Sequence, residues 1–315
     1  MAPLKTTAVS IVVTSCTGRK LHPSGVALSD ISASFSSIHA LVATWRKALL
    51  AAGPRYVAGT LYGGRSFREA ESVANSLEAP LYVVSAGLGL TSVQEPVPAY
   101  DLTVSGTGST VLPILRELGL APSHWWAALN EGLGKPAPIA SLLRSQPKAI
   151  VYLAMPSTYL SLVGDELAAL SKSDRARLRI FSSPAWQRAA PAALAKLALP
   201  YDERLETTAY AGTRNDFPQR ALRHFIQALQ GNALTLSEGR SAVEAVMARH
   251  TLRVLPERQK RTDDEVRALL KRHWKANNGA GDRLLRVLRD ELLIKCEQSR
   301  FRHLWQSVRA EMERS

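Results

Sequence analysis

Leu81–Thr103 reads LYVVSAGLGLTSVQEPVPAYDLT. It opens on a short apolar run, Leu81-Tyr82-Val83-Val84, that ends in Ser85-Ala86-Gly87-Leu88-Gly89-Leu90. A run this short, closed by glycines, reads as a buried strand entering a glycine-rich turn. Gly87 and Gly89 carry no side chain to keep the backbone away from a ligand. Further on, Tyr100-Asp101-Leu102-Thr103 sets a carboxylate beside an aromatic ring and a hydroxyl. In a parallel α/β fold the loops after strands line the ligand crevice. The block therefore reads as part of a site for a flat, polar group.

Outward from this block, short runs rich in Val, Ile and Tyr recur at Val9–Thr14, Arg55–Leu61, Ala149–Ala154 and Arg179–Ser182. Helical patterns lie between them at Ser37–Ala52, Ser66–Leu77, Val111–Leu118, Ser157–Leu170 and Ala185–Leu197, followed by Pro218–Leu229. Strands alternating with helices predict an α/β fold with a parallel sheet, a Rossmann-like N-terminal domain over 1–233. After Gly231 no strand signal remains. Ser237–Ala248, Asp263–Trp274, Asp282–Gln298 and Phe301–Glu313 read as helices, with Leu255–Arg261 as a polar hinge. Thr262 is a plausible N-cap, and Asn277-Asn278-Gly279 a stop. This predicts a basic helical C-terminal module over 234–315.

With 315 residues, 46% of them hydrophobic, the chain can bury a large core. No run reaches the roughly 18–20 apolar residues that span a membrane. The N-terminal SIVVTSC reads as a first strand rather than a signal peptide, since no small-residue cleavage site follows it. Cys16 and Cys296 are the only cysteines and neither has metal-ligand spacing. A reducing cytoplasm is the expected compartment, without metal or cofactor. The net charge of +13 points to a polyanionic partner such as nucleic acid. Residues 240–315 carry 18 Lys+Arg against 11 Asp+Glu, and so hold about half of the excess.

Three strand exits converge if the sheet is parallel. The first, Ser15-Cys16-Thr17-Gly18-Arg19-Lys20, offers hydroxyls and cations, but not the G-x-x-x-x-G-K spacing of a phosphate loop. Cys16 is either a nucleophile or a buried thiol. The second is Tyr62-Gly63-Gly64-Arg65-Ser66, with a stacking ring and a glycine pair. The third is the block above, from Ser85 through Tyr100 and Asp101. Arg214 and Asp216, ahead of the Phe217 helix, bind a ligand group or cap that helix. Trp125 and Trp126 point in different directions on a helix. One of them stacks on a base or wedges into a duplex, or both pack in the core.

Taken together these motifs resemble a bacterial family related to tRNA-guanine transglycosylase-like proteins and to 7-deazaguanine DNA-modification clusters. That family runs Ser-Cys-Ser/Thr-x-x-Lys, Leu-Tyr-x-Gly-x-x-Phe, Ser-Ala-x-x-Gly-Leu and Tyr-Asp-x-Thr. Here the four read Ser15–Lys20, Leu61–Phe67, Ser85–Leu90 and Tyr100–Thr103, and Gly212–Phe217 also looks like a family element. The helical tail, Asp290–Phe301 included, is similar to that of phage-defence DNA glycosylases that excise glucosylated hydroxymethylcytosine. The resemblance implies hydrolysis of an N-glycosidic bond in modified double-stranded phage DNA. Asp101 would stabilise the oxocarbenium-like sugar or activate water. Ser15, Cys16, Thr17, Lys20, Tyr62–Gly64, Ser85, Gly87, Gly89, Tyr100, Arg214 and Asp216 would hold the flipped base. Arg258, Lys260, Arg261, Lys271, Arg272, Lys275, Arg300 and Arg302 would grip phosphates. A base-exchanging transglycosylase and a non-catalytic nucleotide sensor are the alternatives.

Overall fold

The computed structural model describes residues 9–31, 34–105, 109–252 and 256–313. The chain divides into two compact units, Met1–Arg253 and Val254–Ser315. The strands are β1 (Ser10–Ser15), β2 (Val26–Ala27), β3 (Arg55–Val57), β4 (Leu81–Ser85), β5 (Gly89–Ser92), β6 (Pro96–Pro98), β7 (Tyr100–Asp101), β8 (Ile150–Ala154) and β9 (Leu178–Phe181). Five of them form one sheet in the order β5-β4-β1-β8-β9. β4, β1, β8 and β9 run parallel, and β5 closes the edge antiparallel to β4. The fold is mixed α/β. β1 sits at the centre because all six of its residues are buried, as a strand covered on both faces requires.

Helices of six residues or more are α1 (Ile38–Ala51), α2 (Arg65–Ser76), α3 (Leu112–Glu117), α4 (Pro122–Gly132), α5 (Pro138–Ser145), α6 (Ser157–Leu162), α7 (Gly164–Ala169), α8 (Pro184–Ala189), α9 (Phe217–Gln227), α10 (Leu236–Met247), α11 (Asp263–Trp274), α12 (Gly281–Arg286) and α13 (Gln298–Met312). α2 lies against both β1 and α9. The chain passes from β1 to β4 on one side and later to β8 on the other. Loops leaving β1 and β8 therefore diverge, and a crevice opens between them at the carboxyl ends of the strands.

Several elements differ from expectation. Arg55–Leu61 is not a sheet strand. Only Arg55–Val57 is extended, paired antiparallel with β6, where Pro96 and Pro98 flank Val97 and have no N–H to extend the ladder. Ala58–Leu61 turns helical instead. The glycine-rich turn after β4 leads into β5, a strand the sequence reading did not include. It is a hairpin whose three loop residues are followed by Gly89 at φ +70°. The pattern Ser157–Leu170 breaks at Val163 into α6 and α7, and Ala185–Leu197 is interrupted before Pro191.

The boundary expected at 233/234 falls later. Val243 and Met247 of α10 join the first unit's core, and Arg240 donates to the Ala198 carbonyl. The second unit holds α11, α12 and α13 around Val266, Leu270, Leu284, Phe301, Leu304 and Val308. Asp282–Gln298 is not one helix. A π-turn over Val287–Glu291 follows α12, Leu293 takes φ +51°, and Gln259 pairs with Leu293 and Lys295. The expected hinge at 255–261 begins outside the described residues. Among those described, no helix is long and apolar enough to cross a membrane.

Candidate functional site

The crevice predicted by the topology is present. A cleft of about 850 Å³ opens in the first unit, walled by the loops after β1 and β8, the start of α2, the chain after β7 and the loop before α9. Nine of its nineteen lining residues are Ser or Thr, so it presents hydrogen-bonding groups rather than an apolar slot. α2 begins at the cleft with Gly64 as its N-cap and no side-chain cap, leaving its first amides open to an anionic or hydroxyl-bearing ligand. Gly64 allows this by geometry, for a Cβ there would lie 2.8 Å from Thr17 Cγ2.

Asp101 enters the cleft through strand alternation. Tyr100 is fully buried and Leu102 is 1% exposed, while Asp101 and Thr103 line the opposite face. Among the described residues the Asp101 carboxylate has no hydrogen-bond or ion-pair partner. Asp216, the other acid in the lining, is committed. It is 2% exposed, accepts from the Thr213 amide at 2.8 Å, and pairs with Arg220 Nε at 2.6 Å. Arg65 Nε stands 3.2 Å from its second oxygen.

Cys16 and Tyr159 meet in the cleft, Sγ to Oη at 3.0 Å. Burial, and after it the neighbouring Cys16, pushes the Tyr159 phenol well above its ordinary range. Behind the wall lies a second cluster. Ser85 Oγ is 2.5 Å from Tyr100 Oη, which is 3.3 Å from Tyr62 Oη. Burial raises both phenols. Lys20 Nζ donates to the Thr17 carbonyl at 2.6 Å and lies 4.7 Å from the Tyr100 ring centroid.

The structure thus brings Ser15, Cys16, Thr17, Gly64, Asp101 and Asp216 together. Lys20, Tyr62, Ser85 and Tyr100 support the wall from behind and do not face the cleft. The glycines expected to admit a ligand admit side chains of the protein. A Cβ on Gly87 would meet the Tyr100 ring at 2.7 Å, one on Gly89 would strike Asn130, and one on Gly63 would strike Leu21. Arg214 is exposed on a 3-10 turn outside the lining. Arg65 and Thr103, within the stretches read as converging on the site but not singled out as ligand-holding residues, also line the cleft, as do Thr158 and Tyr159, which were not anticipated. Thr103 had a signal, standing two residues from Asp101 on an extended segment.

Trp125 and Trp126 do not reach solvent. They are 0% and 2% exposed, with Trp125 Nε1 donating to the Ala86 carbonyl at 2.8 Å and Trp126 Nε1 to Glu166 at 2.6 Å. The core alternative holds for both. In the second unit, Arg258, Arg261, Lys271 and Arg300 are tied to Asp290, Glu265, Glu311 and Asp263. Lys260, Arg272, Lys275 and Arg302 are exposed and have no ion-pair partner among the described residues. No group of three or more His, Cys, Asp or Glu among those residues is arranged to hold a metal ion. Comparisons with protein-family models, curated proteins and solved structures find no match to this chain.

Proposed function

We propose that the protein is an N-glycosidase that hydrolyses the bond between deoxyribose and a modified base in double-stranded DNA. Glucosylated hydroxymethylcytosine of phage DNA is the preferred target, and cytoplasmic antiviral defence the setting. The carrying observation is Asp101, a carboxylate without a partner among the described residues, in a hydroxyl-lined cleft. Breaking the C1′–N bond leaves positive charge on the sugar. A fixed carboxylate stabilises that charge or orients the attacking water. Water oxygen bonds to C1′, one of its protons ends on the departing base, and an abasic site remains.

A volume of about 850 Å³ accommodates a base with an attached hexose, and Ser and Thr hydroxyls suit the hexose oxygens. The parallel order β4-β1-β8-β9 supports a Rossmann-like reading of the first unit. The net charge of +13 supports a polyanionic substrate. Lys260, Arg272, Lys275 and Arg302, exposed and without an ion-pair partner among the described residues, support a basic helical module that grips phosphates.

The test is incubation with unmodified, hydroxymethylated and glucosylated DNA, followed by mass spectrometry for released base and alkaline cleavage for abasic sites. Release from one class names the substrate, and Asp101→Asn lowers that release by about 100-fold or more while DNA binding persists. Unchanged release by Asp101→Asn removes this residue from the mechanism. Binding without release from any DNA overturns the reading in favour of a nucleotide sensor, and incorporation of added free base in favour of a transglycosylase.

A further inference from the structure

A base inside a duplex is out of reach of the cleft, so the proposed reaction needs its target nucleotide extruded. Proteins that unstack a base step commonly insert an apolar side chain into it. Trp125 and Trp126 are buried and cannot do this. Among the described residues the exposed large apolar side chains are Val9, Leu21, Leu50, Val57 and Leu252. Leu21, 55% exposed, stands two residues beyond Arg19, which lines the cleft.

An isolated surface leucine is ordinary, but the setting of this one is not. Its backbone is zipped to the segment before α2. The Leu21 amide donates to the Leu61 carbonyl at 3.0 Å, Lys20 bridges Tyr62, and the Gly63 amide donates to the Arg19 carbonyl at 3.1 Å. The isobutyl group lies over Gly63, where a Cβ would collide with it. Gly64, the next residue, is already cleft wall. Leu21 is therefore an exposed apolar group held in place at the edge of the site. Lys20 is turned inward over the tyrosine rings, so it does not crowd the leucine with charge. Arg19 is exposed beside the cleft and has no ion-pair partner among the described residues. On the far side His22 stacks on Tyr56, with ring centroids 3.9 Å apart and planes 14° apart.

We propose that Leu21 is the wedge of this site. It enters the stack where the target nucleotide leaves, and Arg19 meets a phosphate next to the gap. The assignment rests on the glycosidase reading, since a wedge has use only where a base is flipped.

Two measurements on the full chain test it. The first compares base release from one modified sequence as duplex and as single strand, for wild type, Leu21→Ala and Leu21→Phe. The ratio of duplex to single-strand release falls about tenfold in Leu21→Ala, because only the duplex requires unstacking, and recovers in Leu21→Phe. An unchanged ratio overturns the wedge. The second needs no chemistry. A duplex carrying 2-aminopurine next to the modified base brightens when wild type binds, and Leu21→Ala, bound equally well, abolishes the rise. Brightening that survives Leu21→Ala, or that wild type fails to produce, overturns the wedge. Brightening by wild type that Leu21→Ala abolishes, with no release from any DNA, supports the wedge and overturns the glycosidase reading instead.

Discussion

Arg220→Met tests whether the loop beside the cleft is held by one buried cation. Arg220 is 1% exposed. Its guanidinium pairs with Asp216 at 2.6 Å and Glu206 at 2.7 Å, and donates to the carbonyls of Tyr210 at 2.5 Å and Thr213 at 2.7 Å. Methionine keeps most of the stem and removes every donor. Glu206, 25% exposed on its side chain, recovers water. Asp216, 2% exposed, does not, and keeps only the Thr213 amide at 2.8 Å and the Arg65 Nε at 3.2 Å, with one cation left in place of two. Stranding one partner of a buried pair costs about 3–5 kcal/mol. The half-exposed Arg65 offsets less than about 1 kcal/mol of this. The expected loss is therefore about 3 kcal/mol, a fall in Tm of roughly 6–12 °C for a unit of this size.

Calorimetry of the full chain measures it, following the transition of the first unit. The double variant Asp216→Asn with Arg220→Met removes both charges, so it recovers about 2 kcal/mol relative to Arg220→Met alone. Thr213 and Asn215 line the cleft, and loosening their loop raises KM for any ligand held there. A loss below about 1 kcal/mol in Arg220→Met, or additive losses in the double variant, refutes the claim that this cation is the latch.

Two further substitutions test the interior. Glu166 accepts from Trp126 Nε1 at 2.6 Å and from the amides of Ile139 at 2.7 Å and Ala140 at 3.0 Å. Glu166→Gln sets an NH2 against one of these donors and lowers stability by about 1–3 kcal/mol in urea unfolding, with Trp126→Phe recovering part of the loss. A wild-type midpoint for Glu166→Gln would count against this carboxylate as the cap of α5. His224, 4% exposed, has its pKa held below its usual value, by burial first and by His250 second. The unfolded chain then binds the extra proton first, so stability is full above about pH 6.5 and falls as pH drops toward 5, by up to about 1.4 kcal/mol per pH unit. His224→Gln flattens that slope, and an unaltered slope between pH 7 and 5 assigns it to other groups.

The parts of the fold that could be read from sequence are those that local chemistry controls. β1, β4, β8 and β9 are short apolar runs because both faces of the sheet are covered. The exit of β1 and Asp101 fall in the cleft because loops at that edge converge. The misreadings share one cause, partners distant in sequence. A glycine announces a close approach without naming what approaches. At Gly87 it is Tyr100 and Trp45, and at Gly89 it is Asn130. Trp125 and Trp126 are both buried because α4 is covered on two sides, by the turn at Ala86 and by Glu166 of α7. Arg258 and Arg300 read as free cations until the fold sets Asp290, 32 residues away, and Asp263, 37 residues away, against them.

Those glycines nevertheless bear on the cleft, through Tyr100. Ser85 Oγ accepts from the amides of Gly87 at 3.2 Å and Leu88 at 3.0 Å. With both lone pairs engaged, its proton is left to donate to Tyr100 Oη at 2.5 Å. Tyr100 Oη is in turn within 3.3 Å of Tyr62 Oη. The direction of the Ser85–Tyr100 bond follows from the serine having no acceptor capacity left. The Tyr100 ring is held by contact with Gly87 on one side, the edge of Trp45 at 6.5 Å, and the Lys20 ammonium over its face. Bulk at residue 87 would dislodge that ring. Tyr100 and Asp101 are successive residues of a strand, so fixing one into the core aims the other outward. The serine-glycine turn after β4 therefore acts on the cleft without facing it, by fixing the backbone that presents the Asp101 carboxylate.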